Sequence, residues 1–469
     1  MLLTCWDTDT LACEQVLEQH GRDESYHEPV PPDAPRVTAG NRMCSRVYAR
    51  HSLCMLPCQQ VLEQHGRDES YHEAVPPDAV AFARSTHQVQ QLVTACTAAR
   101  VPVIPYGAGT SLEGHVAALC GGVSIDLSQM NEVVEVHAED MDCRVQAGVT
   151  RQQLNHHLHD SGLFFPVDPG SECTIGGMTA TRASGTNAVR YGTMREAVLG
   201  VTAVLPNGQI IKTGSRARKS SSGYDLTRLI VGSEGTLAVV TEVALRLYPQ
   251  PEAVSAAVCP FTSIAGAVDT VIETIQTAIP VARIELLDEV QVDAVNRYSK
   301  THLHPSPTLF FEFHGTAAAV EEQAKQVSEI ASGNGGGSFE WSTAPEERSK
   351  LWAARHSAYY AALALRPNSK GLLADVCVPI SRLTELVLLA KQQIEQAQLV
   401  APIVGHVGDG NFHVLFIVSQ SWGTWGGAHG VGHVGWGTWG GARGVEHVGW
   451  GTWGGARGVG HVGWVLMVG

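Results

Sequence analysis

The sequence has no apolar run approaching the ~20 residues that span a bilayer, so no transmembrane segment is expected. It is short of positive charge: 32 Lys and Arg stand against 46 Asp and Glu, a net charge of -14. That balance excludes a general nucleic-acid binder, which needs a basic face to displace counterions from phosphates. It has no Cys-x-x-Cys pair among its 11 cysteines, an odd number. An acid at Asp7 comes too early for a secretory signal. Reduced thiols in an intracellular compartment are therefore expected. It also lacks a Rossmann fingerprint: after Gly107 and Gly109 the third glycine position holds Leu112. With no strand-helix-strand unit ending in a ribose-binding acid, this disfavours an NAD-dependent dehydrogenase. No Gly-Lys-Ser/Thr follows, which excludes a P-loop.

What is present suits a folded chain. At 469 residues, 44% hydrophobic and 17% charged, there is material for two or three domains with sizeable cores. Residues 13–34 and 58–79 are nearly identical, differing at Glu14/Gln59 and Pro29/Ala74. Structural repeats drift much further apart, so this reads as a recent duplication or a sequence artefact. Only the second copy runs into foldable sequence. Arg36 to Leu56, between the copies, carries Arg36, Arg42, Arg46 and Arg50 and no acid, the composition of a mitochondrial targeting segment. Gly423 to Trp464 holds three copies of GTWGGAxGVxHVGW, which has neither helical nor strand period. A disordered or non-native tail over 419–469 is expected, and residues 1–57 are expected to be a non-domain segment.

Between these lies alternating globular sequence. A helix before Ala99 would bury Val89, Leu92, Val93 and Cys96. Strands are expected at Val101–Ile104, Val123–Leu127, Val133–His137, Val145–Ala147, Val198–Leu205 and Val239–Leu247, with a helix over Arg151–Ser161. After Pro249 and Pro251 the pattern changes. Helices at Ile264–Ile279 and Ala318–Gly333 bracket strands at Ala282–Leu287 and Thr308–His314, so an α+β architecture with domains 58–250 and 251–418 is expected.

Three separated segments are rich in small and hydroxyl residues. They are Pro105 to Ser111, then Pro166 to Ser171 with Ile175 to Gly192, and Val231 to Leu237. Glycine lets backbone N–H groups approach a pyrophosphate closely, and Thr110 and Ser111 add hydroxyl donors. Further on, Gly408 to Asn411 is turn sequence between His406 and His413. A bend there brings two imidazoles together, a pair suited to Zn or Mn given at least one more ligand.

The motifs PYGAGTSLEG, FPVDPG, ASGTNAVRYGTMREAV, VLPNGQI, VGSEGTL and HVGDGNFH occur in this order. With them the chain resembles the vanillyl-alcohol-oxidase-like flavoproteins with a PCMH-type FAD-binding domain, and within these the D-2-hydroxy-acid dehydrogenases of mitochondrial D-lactate dehydrogenase type. The resemblance covers roughly Glu63 to Val418. It implies FAD as cofactor, an α+β cap domain with an antiparallel sheet, and a small 2-hydroxy acid as substrate. It also implies hydride transfer to flavin N5, cytochrome c or a similar electron acceptor, and a mitochondrial location. Gly107, Gly109, Thr110, Ser111, Asp168, Gly170 and Ser171 would hold the pyrophosphate. Gly176, Gly177, Thr179, Ser184 and Asn187 would line the flavin, and Glu234 and Gly235 would close the adenine end. Arg355 and Lys370 would bind the substrate carboxylate, for which a guanidinium offers a planar fork. His406 and His413 would ligate the metal. Arg182, beside the flavin loop, is bulkier than family members often carry there.

One departure stands out. The family's later Gly-Glu-His-Gly motif, source of a carboxylate ligand and of the catalytic base, has no counterpart after His413. Glu446-His447 lies inside a tail repeat whose other copies carry Gly432 and Gly460 in the Glu position. The metal site is therefore expected to be incomplete and the base missing. The alternatives are a flavin-binding but impaired product, or a D-2-hydroxyglutarate- or glycolate-type relative.

Overall fold

The computed structural model describes residues 55–56, 59–217 and 219–419. The first repeat copy, the Arg-rich stretch before Met55 and the Trp-Gly tail lie outside them. The chain divides into two compact units at Pro251/Glu252.

The first unit contains two main sheets. One has the order β1-β2-β4-β3, from Met55–Leu56, Ala79–Phe82, Val103–Tyr106 and Val123–Asp126. β2 and β3 both run parallel to β4, with Val80 and Ile104 paired to Ser124. Parallel neighbours require a crossover; here the helix Thr86–Ala99 links β2 to β3. Ser85 caps its N-terminus by accepting from the Gln88 amide, and its core face is Val89, Leu92, Val93 and Cys96, as the spacing predicts. The strand expected at Val101–Ile104 sits two residues later. Pro102 has no N–H to donate, and its carbonyl instead accepts from the Val123 amide.

The other main sheet is antiparallel, in the order β5-β6-β10-β8-β9. Its strands are Val133–His137, Asp142–Gln146, Val198–Val204, Ile210–Gly214 and Val239–Arg246. Two short strands, β7 (Leu163–Phe164) and β11 (Tyr248–Pro249), pair beside it. The helix expected over Arg151–Ser161 ends at Leu158 and tightens into a 3₁₀ turn, closed by Gly162 at φ 70°. Val145, Leu154, Ile175, Met178, Val201 and Val243 belong to one core beneath this sheet.

The second unit is built on an antiparallel seven-stranded sheet, order β15-β12-β14-β13-β17-β18-β16. In chain order these are β12 (Ala253–Pro260), β13 (Arg283–Leu287), β14 (Thr308–Gly315), β15 (Glu340–Ser342), β16 (Ser369–Cys377), β17 (Ile403–Gly405) and β18 (Asn411–Ser419). Alternation divides β14 between two faces. Phe311 and Phe313, both fully buried, stack at 6.1 Å on one side. Phe310, Glu312 and His314 face the other. Replacing Phe311 with alanine would cost about 3–5 kcal/mol through lost burial and the cavity left behind.

Candidate functional site

In the first unit the three small-residue segments meet. Gly107 and Thr174 are so close that a Cβ on Gly107 would lie 2.5 Å from Thr174 Oγ1. Thr174 caps the helix Ile175–Thr181, accepting from the Gly177 amide at 3.2 Å. The second segment is joined to the third by backbone: the Gly232 and Glu234 amides donate to the Thr179 and Ala180 carbonyls at 3.0 and 2.9 Å. The first and third are joined by Ser111, His115 and Glu234. Ser111 Oγ is hydrogen-bonded to His115 Nδ1, and His115 Nε2 lies 2.9 Å from a Glu234 oxygen. Gly109 adopts φ 65° and Gly235 φ 76°, backbone that glycine takes without strain.

Individual residues play more varied parts than the resemblance implies. Asp168 is 2% exposed. One of its oxygens accepts from Thr186 Oγ1 at 2.7 Å and the other from the Asn187 amide at 3.0 Å. Asn187 Nδ2 in turn donates to the Pro166 carbonyl. Asp168 thus ties two loops together rather than meeting a pyrophosphate, which its charge would repel. A Cβ on Gly185 would clash with the Asp168 backbone at 2.5 Å, which explains the glycine between Ser184 and Thr186. Thr179 is fully buried, its hydroxyl donating to the Ile175 carbonyl, so its side chain does not line a ligand. Gly176 packs on Ala147. Thr110, Ser111, Ser171, Gly170 and Ser184 remain half-buried or exposed, open to a ligand. Arg182 hydrogen-bonds the Val231 carbonyl through Nε and Nη2 and so braces the third segment.

The second unit gathers ionisable groups on one sheet face. Glu285, in the middle of β13, is completely buried. One oxygen accepts from Arg355 Nε and Nη2 at 2.9 and 2.5 Å, and the other lies 2.8 Å from His406 Nδ1. Burial would push the Glu285 carboxyl up, but His406 and Arg355 hold it below its ordinary value. Burial likewise opposes charge on His406, yet Glu285 draws its pKa upward. His413 faces His406 edge-on at 5.3 Å. Its Nδ1 is 3.0 Å from Asp375 Oδ1. Asn411 donates to the same Asp375 oxygen at 2.6 Å. Along the same face, Glu312 meets His314 at 2.7 Å and Arg283 at 3.4 Å, and Arg283 stacks 4.6 Å over Trp352.

The sequence-predicted pair His406 and His413 is therefore brought together, with Arg355 beside it. Lys370 is not. It pairs with Val418 while Asp375 pairs with His413, and five residues of unbroken strand put Lys370 on the opposite face. Among the described residues no three His, Cys, Asp or Glu side chains are placed to hold a metal. Glu285, Asp375 and His115 were missed from sequence. For Glu285 a signal existed: Arg283 and Glu285 alternate inside the apolar strand Arg283–Leu287, marking a buried polar face.

Residues 77–214 match the FAD binding domain model, and residues 250–430 match the C-terminal domain model of FAD linked oxidases. The chain belongs to the FAD-linked oxidase family. Its fold is the PCMH-type FAD-binding domain with the family's mixed C-terminal domain. The chain is 52% identical over 409 residues to a probable mitochondrial D-lactate dehydrogenase of Danio rerio, covering 87% of this chain and 73% of that one. It is 47% identical to the mitochondrial D-lactate dehydrogenase [cytochrome] of Arabidopsis thaliana, covering 73% of this chain and 60% of the relative's length. Among solved structures, alkyldihydroxyacetonephosphate synthase superposes with TM-score 0.66 at 22% identity, covering 85% and 81% of the two chains. The 4-ethylphenol oxidase of Gulosibacter chungangensis superposes with TM-score 0.67 at 15% identity, covering 81% and 83%. These last two speak to the fold alone. Within this family the convergence fits FAD: Gly107 and Gly185 let the segments pack so closely that a Cβ would strike Thr174 Oγ1 or the Asp168 backbone, while Thr110, Ser111 and Gly170 stay accessible on the loops.

Proposed function

We propose that the chain oxidises D-lactate, or a closely similar D-2-hydroxy acid, to the 2-oxo acid in mitochondria, with cytochrome c or a like carrier taking the electrons. The observation carrying this reading is the convergence of the three small-residue segments, supported by relatives named for D-lactate. FAD, when bound, supplies the two-electron acceptor that takes hydride from C2 of the hydroxy acid.

The protein's own residues supply positioning. Arg355 is the cation that Glu285 holds beside the paired imidazoles. Glu285 engages its Nε and Nη2 and leaves Nη1 for a substrate carboxylate. His406 and His413 present their Nε2 atoms, since the carboxylates of Glu285 and Asp375 sit at the Nδ1 atoms. Carboxylates behind imidazoles orient metal ligands in this way. A Zn or Mn ion there would need a further ligand, which the described residues do not provide.

Glycolate-type oxidation is the neighbouring reading. A glycolate oxidase subunit of Bacillus subtilis is 35% identical over 334 residues. The test is anaerobic mixing of the purified flavoprotein with D-lactate, L-lactate, glycolate and D-2-hydroxyglutarate. Bleaching of the flavin band fastest with D-lactate supports the proposal. Bleaching by glycolate alone, or by none of the four, overturns it.

A further inference from the structure

We propose that His115 is a positioning residue that couples FAD binding to the uptake of a proton, by deciding which hydrogen-bonding face Ser111 shows to the cofactor's pyrophosphate. This rests on the reading that the first unit binds FAD.

The geometry is a three-residue relay between segments far apart in sequence. Ser111 ends the first glycine-rich loop. His115 is four residues on, its side chain 18% exposed, and Glu234 stands in the third segment. His115 is hydrogen-bonded to Ser111 Oγ through Nδ1 and to Glu234 through Nε2. An ionised carboxylate only accepts. Nε2 therefore carries a proton, and the neutral ring has a bare Nδ1. Ser111 must then donate its single O–H to His115 and can offer an anion only lone pairs. Protonation of His115 reverses that bond. Nδ1–H donates to Ser111 Oγ, the serine O–H is released, and it can donate to a phosphate oxygen. The cationic ring also adds a positive charge beside the anion and strengthens the contact with Glu234. Ligand and proton therefore favour each other's binding, and by linkage each raises the other's affinity.

Other charged groups face this relay. Asp68, from the stretch after the helix Gln59–His65, accepts from the Gly114 amide at 2.7 Å and is engaged by backbone. The His72 ring abuts Gly114, 2.8 Å from where its Cβ would be, and is a second imidazole near the relay. Glu113 adjoins in sequence.

The experiment measures FAD binding to the apoprotein by quenching of flavin fluorescence between about pH 5 and 8, the range in which imidazole titrates. Proton uptake is measured by calorimetry in buffers of differing ionisation enthalpy. His115→Gln is the informative variant, because glutamine can donate to Glu234 and accept from Ser111 but cannot take a proton. In the wild type, affinity should fall on the order of tenfold across the range with up to one proton taken up. In His115→Gln the pH dependence and the uptake should vanish while FAD still binds. Uptake that persists in His115→Gln, or that disappears instead in His72→Gln, overturns the inference and leaves the flavin reading intact. A folded wild-type apoprotein that binds no FAD at any pH overturns both.

Discussion

Arg355 donates from Nε and Nη2 to the same Glu285 oxygen, while His406 Nδ1 meets the other oxygen of that carboxylate. One buried carboxylate thus orients both the cation proposed for the substrate and one of the paired imidazoles. Its charge is sustained by those two partners against burial that opposes it.

Glu285→Ala leaves the buried Arg355 and the half-buried His406 without their acceptor. It should cost roughly 3–5 kcal/mol of unfolding free energy, the range for breaking a buried ion pair. Glu285→Gln retains an oxygen and should cost less. Urea denaturation of the two variants checks the order, and equal losses would contradict it.

Gly107→Ala places a Cβ 2.5 Å from Thr174 Oγ1. The loop or the helix cap must shift, at a cost of about 1–3 kcal/mol. Flavin content should fall more than secondary structure does. Absorbance and circular dichroism of the same sample test this.

Glu312 is held below the ordinary carboxylate range by His314 and Arg283 despite burial that would raise it. A lowered folded pKa means stability that is present above the unfolded value and lost as pH falls through the folded one. The melting-temperature advantage of wild type over Glu312→Gln should therefore be full near neutrality. It should shrink as pH drops below the usual carboxylate range.

The proposal that His406 and His413 can ligate zinc or manganese predicts that affinity, measured by equilibrium dialysis, falls steeply in His413→Ala. In Asp375→Asn it should fall by about 10–100-fold, the usual effect of altering the partner behind a ligating imidazole. Unchanged affinity in both would remove the metal from this cluster.

Much of the fold was legible because periodicity reports burial directly: the Val89, Leu92, Val93, Cys96 stripe and the alternating strands of the first unit appear as read. Boundaries moved where backbone chemistry intervened, at Pro102 and at Gly162. The meeting of His406 and His413 was visible in the turn between them. Glu285 showed only its alternation with Arg283, and Asp375 showed nothing, because their partners lie 70 to 121 and 36 to 38 residues away and only strand register brings them together. Register also removed Lys370, since five residues along a strand reverse the face. The resemblance implied that Asp168 and Thr179 meet the cofactor, but both are buried with their polar atoms bonded inside the protein, a distinction that burial alone supplies.

The most direct test is the absorption spectrum of the folded, purified chain, with FAD quantified after denaturation. A flavin band with FAD approaching one per chain is the predicted result. A folded, colourless protein that takes up no added FAD would contradict the account.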